Sequence, residues 1–164
     1  MSKIKLHRYE DIYPRIKKAF DDHKSKIINI FPHVDVQHVG SSAVPGALTV
    51  GDLDIQIRIN KEDVQAMKDF LHTIYHPHRE DLWNEDFFIF SKKDDDIPMS
   101  VPVTVMGSRF DEHYRFRDLL ISDPEILDTY NKLKLEFDGK EESEYKAAKA
   151  KFHGPNGTRF QDTI

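Results

Sequence analysis

Two short polar segments hold the residue types and spacing best suited to chemistry. The first, QHVGSSAVPG at residues 37–46, contains Gly40, Ser41 and Ser42. The second, GDLDIQI at residues 51–57, contains Asp52 and Asp54. A glycine-serine turn lets a phosphate approach the backbone closely and offers it hydroxyl groups. Paired carboxylates suit a hard divalent cation such as Mg²⁺. Together the segments predict a site for a nucleoside triphosphate and its metal ion.

Alternating polarity predicts how the two acids are positioned. Polar and apolar residues alternate from Asp52 to Ile59, which is typical of a half-buried β-strand. Because side chains two residues apart lie on one face of a strand, we expect Asp52 and Asp54 to be about 6.5–7 Å apart. Two carboxylates at that spacing can share one metal ion or bridge two, since paired catalytic metals lie about 3.5–4 Å apart.

Each segment alone has a simpler interpretation. The chain has 29 acidic residues among 164, so about five acidic-x-acidic patterns are expected by chance. Gly-Ser-Ser is commonly just a loop. The hypothesis therefore depends on the combination, in which a strand and a Gly-Ser turn are followed by a second strand that carries the paired acids.

The same residues resemble a known family. The run HVGSSAVPG at residues 38–46 resembles the signature of the GrpB-like family, within the polymerase-beta-like nucleotidyltransferase superfamily. Three later segments also resemble it: YRFRDLL at 114–120 followed by DPE at 123–125, Tyr130-x2-Leu133-Lys134, and Tyr145-x3-Lys149-x2-Phe152. The resemblance covers the chain from Tyr9 to Phe152.

This resemblance implies a fold and a set of site residues. The implied fold is a nucleotidyltransferase-like α/β (α+β) fold, with a small mixed β-sheet flanked by helices and a helical C-terminal third. The metal ligands and catalytic residues would be Asp52 and Asp54, with Mg²⁺ (or Mn²⁺) as the cofactor. The residues that contact the triphosphate would be Gly40, Ser41 and Ser42.

Triphosphate charge also needs basic side chains, because phosphoryl-type transfer relies on positioning and electrostatics. Arg117 and Lys134, both within the family-like segments, are the candidates. The alternative for each is an ion pair on a helix surface.

The implied activity is Mg²⁺-dependent transfer of a nucleotidyl group from a nucleoside triphosphate to an unknown small-molecule acceptor. The superfamily generally takes a third carboxylate from a later strand, but the segment VPVTVM at residues 101–106 has none. It has Pro102 and Thr104 where GrpB-like relatives tend to have histidines. The alternative function is therefore a catalytically inactive nucleotide-binding module on the same fold.

Length and composition set the outer bounds. A chain of 164 residues fits one domain with a single core, so we predict one nucleotidyltransferase-like domain over residues 1–164. A net charge of −5 provides no broad field for polyanions and disfavours a nucleic-acid partner. No apolar run is long enough to span a membrane. The N-terminus lacks the apolar segment of a secretory signal, and the absence of cysteine fits a reducing cytosol, so we predict a cytoplasmic protein.

Periodicity and capping signals predict the elements that position these residues. We expect strands over residues 34–39, from Leu53 to Ile59, and an antiparallel pair at 87–91 and 100–106 joined by a polar turn at 92–96. We expect helices over 11–30, with Pro14 in the first turn, and over 61–73. Three further helices would form the helical C-terminal segment at 109–153. We expect them over 109–121, from Pro124 with Asp123 as the N-cap, and over 141–152.

Overall fold

A five-stranded mixed β-sheet is the centre of the structure, a computed structural model that describes residues 2–93 and 96–153. Its strands are β2 (Asp35–Val39), β4 (Leu53–Ile59), β5 (His76–Pro77), β6 (Phe87–Lys92) and β7 (Met99–Val105). The strand order is β2-β4-β7-β6-β5, with β4 and β7 parallel and the other pairs antiparallel. Two short strands, β1 (His7–Arg8) and β3 (Leu48–Thr49), form a separate antiparallel pair.

In the part of the chain that the structure describes, five α-helices accompany the sheet: α1 (Tyr9–Ile30), α2 (Val64–His72), α3 (His113–Ser122), α4 (Pro124–Phe137) and α5 (Glu142–His153). Short 3₁₀ turns lie at Ser41–Ala43, Lys61–Asp63 and Glu80–Leu82. No helix within the described ranges is both long and apolar enough to cross a membrane.

The two faces of the sheet differ in polarity because side chains alternate along each strand. On one face the apolar residues of β4 and β7 pack with α1 and α2 in the main core, which includes Leu53, Ile55, Ile57, Val101, Val103, Ile16, Met67 and Leu71. On the other face Asp54, Gln56 and Arg58 lie on the side of α3, where the backbone N–H of Tyr114 donates to Gln56 Oε1 at 3.0 Å. A smaller apolar cluster there joins Phe116 and Tyr130 of the C-terminal helices.

The mixed α/β architecture and the helical C-terminal third are confirmed. The antiparallel pair β6–β7 is confirmed, although residues 94 and 95 of the predicted turn lie outside the described residues. Asp123 caps α4 as predicted, since its Oδ1 accepts from the backbone N–H groups of Glu125 and Ile126 at 3.1 and 3.2 Å, and Pro124 is the first helical residue.

Three predicted helix starts differ clearly from the structure, and one of them is that of α2, which begins at Val64 after the 3₁₀ turn Lys61–Asp63. Helix α1 begins at Tyr9, directly after β1, where the Tyr9 N–H donates to Ala47 O at 3.0 Å; Pro14 therefore lies beyond the first turn. Helix α3 begins at His113 rather than at residue 109. The Asp111 carboxylate accepts from the Gly107 N–H at 3.0 Å and holds the preceding segment as turns.

Candidate functional site

A narrow cleft opens on the polar face of the sheet. Its polar lining includes Ser41, Asp52, Asp54, Arg117 and Lys149, and its aromatic lining includes Phe116, Tyr130 and Tyr145. The two chemically promising segments of the sequence therefore meet in one place. Helices α3, α4 and α5 each contribute side chains to the walls.

Gly40 ends β2 in a conformation that only glycine adopts without strain. Its φ of 75° and ψ of −177° fall in a region essentially restricted to glycine. A Cβ atom at this position would lie 2.1 Å from Asp54 Oδ2. The backbone of the turn therefore rests directly against the carboxylate, and only a residue without a side chain permits that approach.

The two serines after Gly40 face different surroundings. Ser41 lines the cleft, and its Oγ accepts a hydrogen bond from Lys134 Nζ. Ser42 is buried, and its Oγ shares a hydrogen bond with His38 Nε2 at 3.0 Å. Burial and the charge of Arg117 lower the pKa of His38 to about 4, so this ring is neutral near pH 7. The Ser42 hydroxyl thus serves the packing of the turn and does not line the cleft.

Asp54 is the most unusual group at the site. The residue is 2% exposed, and its Oδ1 has no hydrogen-bond partner among the described residues. Burial, followed by the charge of Asp52, raises the pKa of the Asp54 carboxyl. An ionised carboxylate in this position is costly unless a cation binds it. Asp52 precedes β4 by one residue instead of lying within the strand, is half-buried, and lines the same cleft.

Strand β7, which is parallel to β4, has a hydroxyl group at the position next to Asp54. In the parallel register of β4 and β7, Ser100 is the partner of Asp54. Its Oγ is also buried without a hydrogen-bond partner in the described part of the chain. Within those same residues, no group of three or more acids or histidines is placed to hold a metal ion. The strand β7 itself contains no acidic residue.

A distant carboxylate does reach this face of the sheet, but it serves a structural network. Asp111 accepts from Arg58 through both oxygens, at 2.7 and 2.8 Å, and from Gln56 at 3.1 Å. Arg58 also donates to Asp35 at 2.8 Å and stacks on the Tyr114 ring at 4.3 Å. Burial alone would raise the pKa of Asp111, but the hydrogen bonds from Arg58 and from a backbone N–H outweigh it and lower that pKa.

The two predicted cations mainly secure the turn. Lys134 is buried and donates to Ser41 Oγ and to Leu48 O, with Nζ 4.2 Å from the Tyr130 ring centroid. Burial and the charge of Lys149 lower the pKa of Lys134 well below its usual value. Its environment is therefore the interior of the protein, not a helix surface.

Arg117 lies at the edge between interior and surface. Its Nη1 donates to Gln37 Oε1 at 2.7 Å and to His38 O at 2.9 Å. It also forms the predicted type of surface ion pair, with Asp118 at 2.9 Å, although its own side chain is only 17% exposed. Arg117 thus fastens α3 to the end of β2 while lining the cleft.

A match to a family model shows which protein family the chain belongs to. The model of the GrpB protein family matches residues 3–154. The chain belongs to the GrpB family. A UPF0157 protein of Vibrio cholerae serotype O1 is 24% identical over 149 residues, which cover 91% of this chain and 79% of that protein.

Solved structures show how the GrpB-family chain folds. The crystal structure of the conserved protein GrpB from Enterococcus faecalis has a TM-score of 0.66 and 16% identity, and the match covers 92% of this chain and 98% of that chain. This likeness shows a shared fold. A cytoplasmic RNA terminal U-transferase aligns with a TM-score of 0.47 and 16% identity, over 79% of this chain and 37% of that chain.

The structure thus brings most of the sequence-predicted residues of this GrpB-family chain together. The cleft is lined by Gly40, Ser41, Asp52, Asp54 and Arg117, while Lys134 reaches it through Ser41. Ser42 is buried beside them. The sequence-based selection ranked Lys149 of α5 below Arg117 and Lys134, but this residue lines the same cleft as the acids. Its spacing of four residues from Tyr145 on an amphipathic helix was the available signal.

Proposed function

We propose that the cleft binds a nucleoside triphosphate together with Mg²⁺ or Mn²⁺ and transfers its nucleotidyl group to a small-molecule acceptor in the cytoplasm. The observation that carries this proposal is the contact between the Gly40 turn and Asp54, because a glycine-serine turn suits a phosphate group and the adjacent carboxylate suits its metal ion. The net charge of −5 favours a small acceptor over a polyanionic nucleic acid.

The donor atoms of the cleft fit a divalent cation. Asp54 Oδ1 is buried without a partner among the described residues, and Asp52 is beside it in the cleft. Mg²⁺ is commonly bound by one or two carboxylates and completes its coordination with water and phosphate oxygens. When bound, such an ion would polarise the phosphate and neutralise developing charge.

The remaining steps fall to the residues of the chain. The Gly40–Ser41 backbone and the Ser41 hydroxyl, which Lys134 holds in place, orient the triphosphate. Arg117 offsets its negative charge from the α3 side. An acceptor oxygen attacks the α-phosphorus in line, the bond from that phosphorus to the leaving oxygen breaks, pyrophosphate leaves, and the acceptor proton passes to solvent.

One observation favours the second candidate, a nucleotide-binding module without turnover. The residue beside Asp54 on β7 is Ser100, which offers a hydroxyl and no negative charge. A site with two carboxylates can hold one cation and a triphosphate, yet it has fewer ligands for a second catalytic metal ion.

Binding is tested by calorimetric titration with ATP, GTP, CTP and UTP, each with Mg²⁺ and each with EDTA. We expect at least one triphosphate to bind in a Mg²⁺-dependent manner, and Asp54→Asn to abolish this binding without loss of the folded state. The matched control is Asp128→Asn, because Asp128 is an exposed aspartate on α4. Equal binding by the wild type and by Asp54→Asn would refute the proposed site.

Turnover is tested by pyrophosphate release from the preferred triphosphate with Mg²⁺ and a pool of small metabolites. Release that disappears in Asp52→Asn supports the transferase. Mg²⁺-dependent binding without pyrophosphate release, with any acceptor in the pool, supports the binding module instead.

A further inference from the structure

Three long basic side chains lie in or beside the cleft, and they differ in how their N–H donors are used. Lys134 donates to Ser41 and Leu48, and Arg117 donates to Gln37 and His38. The Lys149 ammonium forms no hydrogen bond or ion pair with another residue in the ranges that the structure describes. Its recorded neighbour is the Tyr145 ring, whose centroid is 5.6 Å from Nζ. The N–H donors of Lys149 thus remain available for the acids or for a ligand.

The packing of α5 determines where the Lys149 ammonium lies. Tyr145, Lys149 and Phe152 are spaced four and three residues apart, so they share one face of the helix. Tyr145 is buried, with its ring 6.2 Å from Phe137, and the Phe152 ring is 4.7 Å from Tyr130. Two aromatic anchors therefore flank Lys149 and direct it into the cleft, where it is half-buried.

The electrostatic surroundings keep this amine charged. Burial acts to lower the pKa of Lys149, but the attraction of Tyr145, Asp52 and Asp54 outweighs it and leaves that pKa raised. The same two acids have no hydrogen-bonded cation among the described residues. A protonated amine and an under-neutralised acid pair thus share one partly buried cleft, in which their attraction is stronger than it would be in water.

We propose that Lys149 is an internal counter-ion of the Asp52–Asp54 pair. Its ammonium supplies one of the two positive charges that balance the two carboxylates, and it thereby restricts the cleft to a single divalent cation. The inference rests on the proposed function only in taking these acids as the metal ligands. Lys149 then repels a divalent cation at the acid pair, so metal affinity is lower than the acids alone would give.

The test is a titration with Mn²⁺ alone, followed by the loss of the free Mn²⁺ signal in electron paramagnetic resonance and by calorimetry. We expect the wild type to bind one Mn²⁺ and Lys149→Met to bind Mn²⁺ at least fivefold more tightly. Lys149→Gln, also neutral, should behave like Lys149→Met. Lys149→Arg keeps the charge and should stay within twofold of the wild type.

The matched control is Lys146→Met on the same helix, since Lys146 is exposed and pairs with Glu142 at 2.9 Å. It should leave Mn²⁺ affinity unchanged, and thermal melts should show that every variant is folded. Asp54-dependent Mn²⁺ binding that is equal or weaker in both Lys149→Met and Lys149→Gln overturns the counter-ion inference alone. Absence of Mn²⁺ binding in the wild type and in all Lys149 variants overturns the metal site itself, and with it the proposed function.

Discussion

Replacing Gly40 with alanine tests the contact on which the site is built. The new Cβ would lie 2.1 Å from Asp54 Oδ2, 3.0 Å from its Cγ and 3.2 Å from its Cβ, so the carboxylate must move. Overpacking of this kind costs about 1–3 kcal/mol. The glycine-specific backbone conformation adds about 1–3 kcal/mol. We therefore expect Gly40→Ala to lower the free energy of unfolding by about 2–6 kcal/mol, a large fraction of the usual 5–15 kcal/mol.

Urea unfolding of Gly40→Ala, followed by circular dichroism, measures this loss. With an m-value of about 2 kcal/mol/M, a loss of 4 kcal/mol shifts the midpoint by about 2 M. The control is Gly139→Ala, because Gly139 also has a positive φ, 78°, but a Cβ there would meet nothing within 4 Å. Gly139→Ala should therefore cost only the backbone strain, about 1–2 kcal/mol.

A double-mutant cycle separates the contact from the strain. Asp54→Ala removes the carboxylate that the new methyl group would strike, so Gly40→Ala should cost about 1–3 kcal/mol less in that background. An equal cost of Gly40→Ala in both backgrounds would show that the turn does not rest on Asp54. The reasoning that joins the turn to the acid would then be wrong.

Three further predictions follow from the same geometry. Burial and Asp52 raise the pKa of Asp54, so the free-energy cost of ionising Asp54 in the folded state grows as pH rises above 3.8. In EDTA, Asp54→Asn should therefore be more stable than the wild type at pH 8. The urea midpoints of the two proteins should converge toward pH 4. Arg58→Met leaves the buried Asp111 carboxylate unpaired and should cost about 3–5 kcal/mol in urea unfolding, whereas Lys17→Met, at an exposed pair, should change little. Ser100→Asp adds a carboxylate beside Asp54; it should tighten Mn²⁺ binding at least tenfold in calorimetry and lower thermal stability in EDTA, and unchanged affinity would show that Ser100 does not face the acids.

Local sequence patterns were sufficient to predict most of the helices and strands and the strand that carries Asp54. The alternation from Leu53 to Ile59 predicted β4, and Asp123-Pro124 predicted the start of α4. These signals are short-range, since periodicity and capping depend on residues within one or two turns. The bounds of β4 agree with the prediction, and Asp52, which the alternation grouped with Asp54 on one face, lies one residue before the strand.

Long-range side-chain pairing could not be obtained in this way. Arg58 and Asp111 are 53 residues apart, and nothing in the sequence near Arg58 identifies its partner. The period of two places Arg58 on the same face as Asp54, but it does not distinguish a ligand-binding arginine from a structural one. The start of α3 was missed for the same reason, because Asp111 is drawn into that network. Lys149 was undervalued because its position depends on how α5 packs against α4.

Some groups at this cleft destabilise the folded state, and their position there independently supports a bound ligand. The Arg58–Asp111 pair shows that the chain can satisfy a buried carboxylate fully on this face of the sheet. Asp54, on the same strand, is left with an unpartnered oxygen among the described residues, although asparagine or an apolar residue there would relieve the cost. Gly40, whose backbone conformation suits only glycine, is in direct contact with it, and the buried Lys134 holds the adjacent serine. Conflicts between local stability and the fold are expected mainly at functional sites, and here the unpartnered Asp54 oxygen and the buried Lys134 ammonium both lie at one cleft. A cation bound by Asp54 would remove the largest of these costs, so bound metal should raise the melting temperature of the wild type and leave that of Asp54→Asn unchanged.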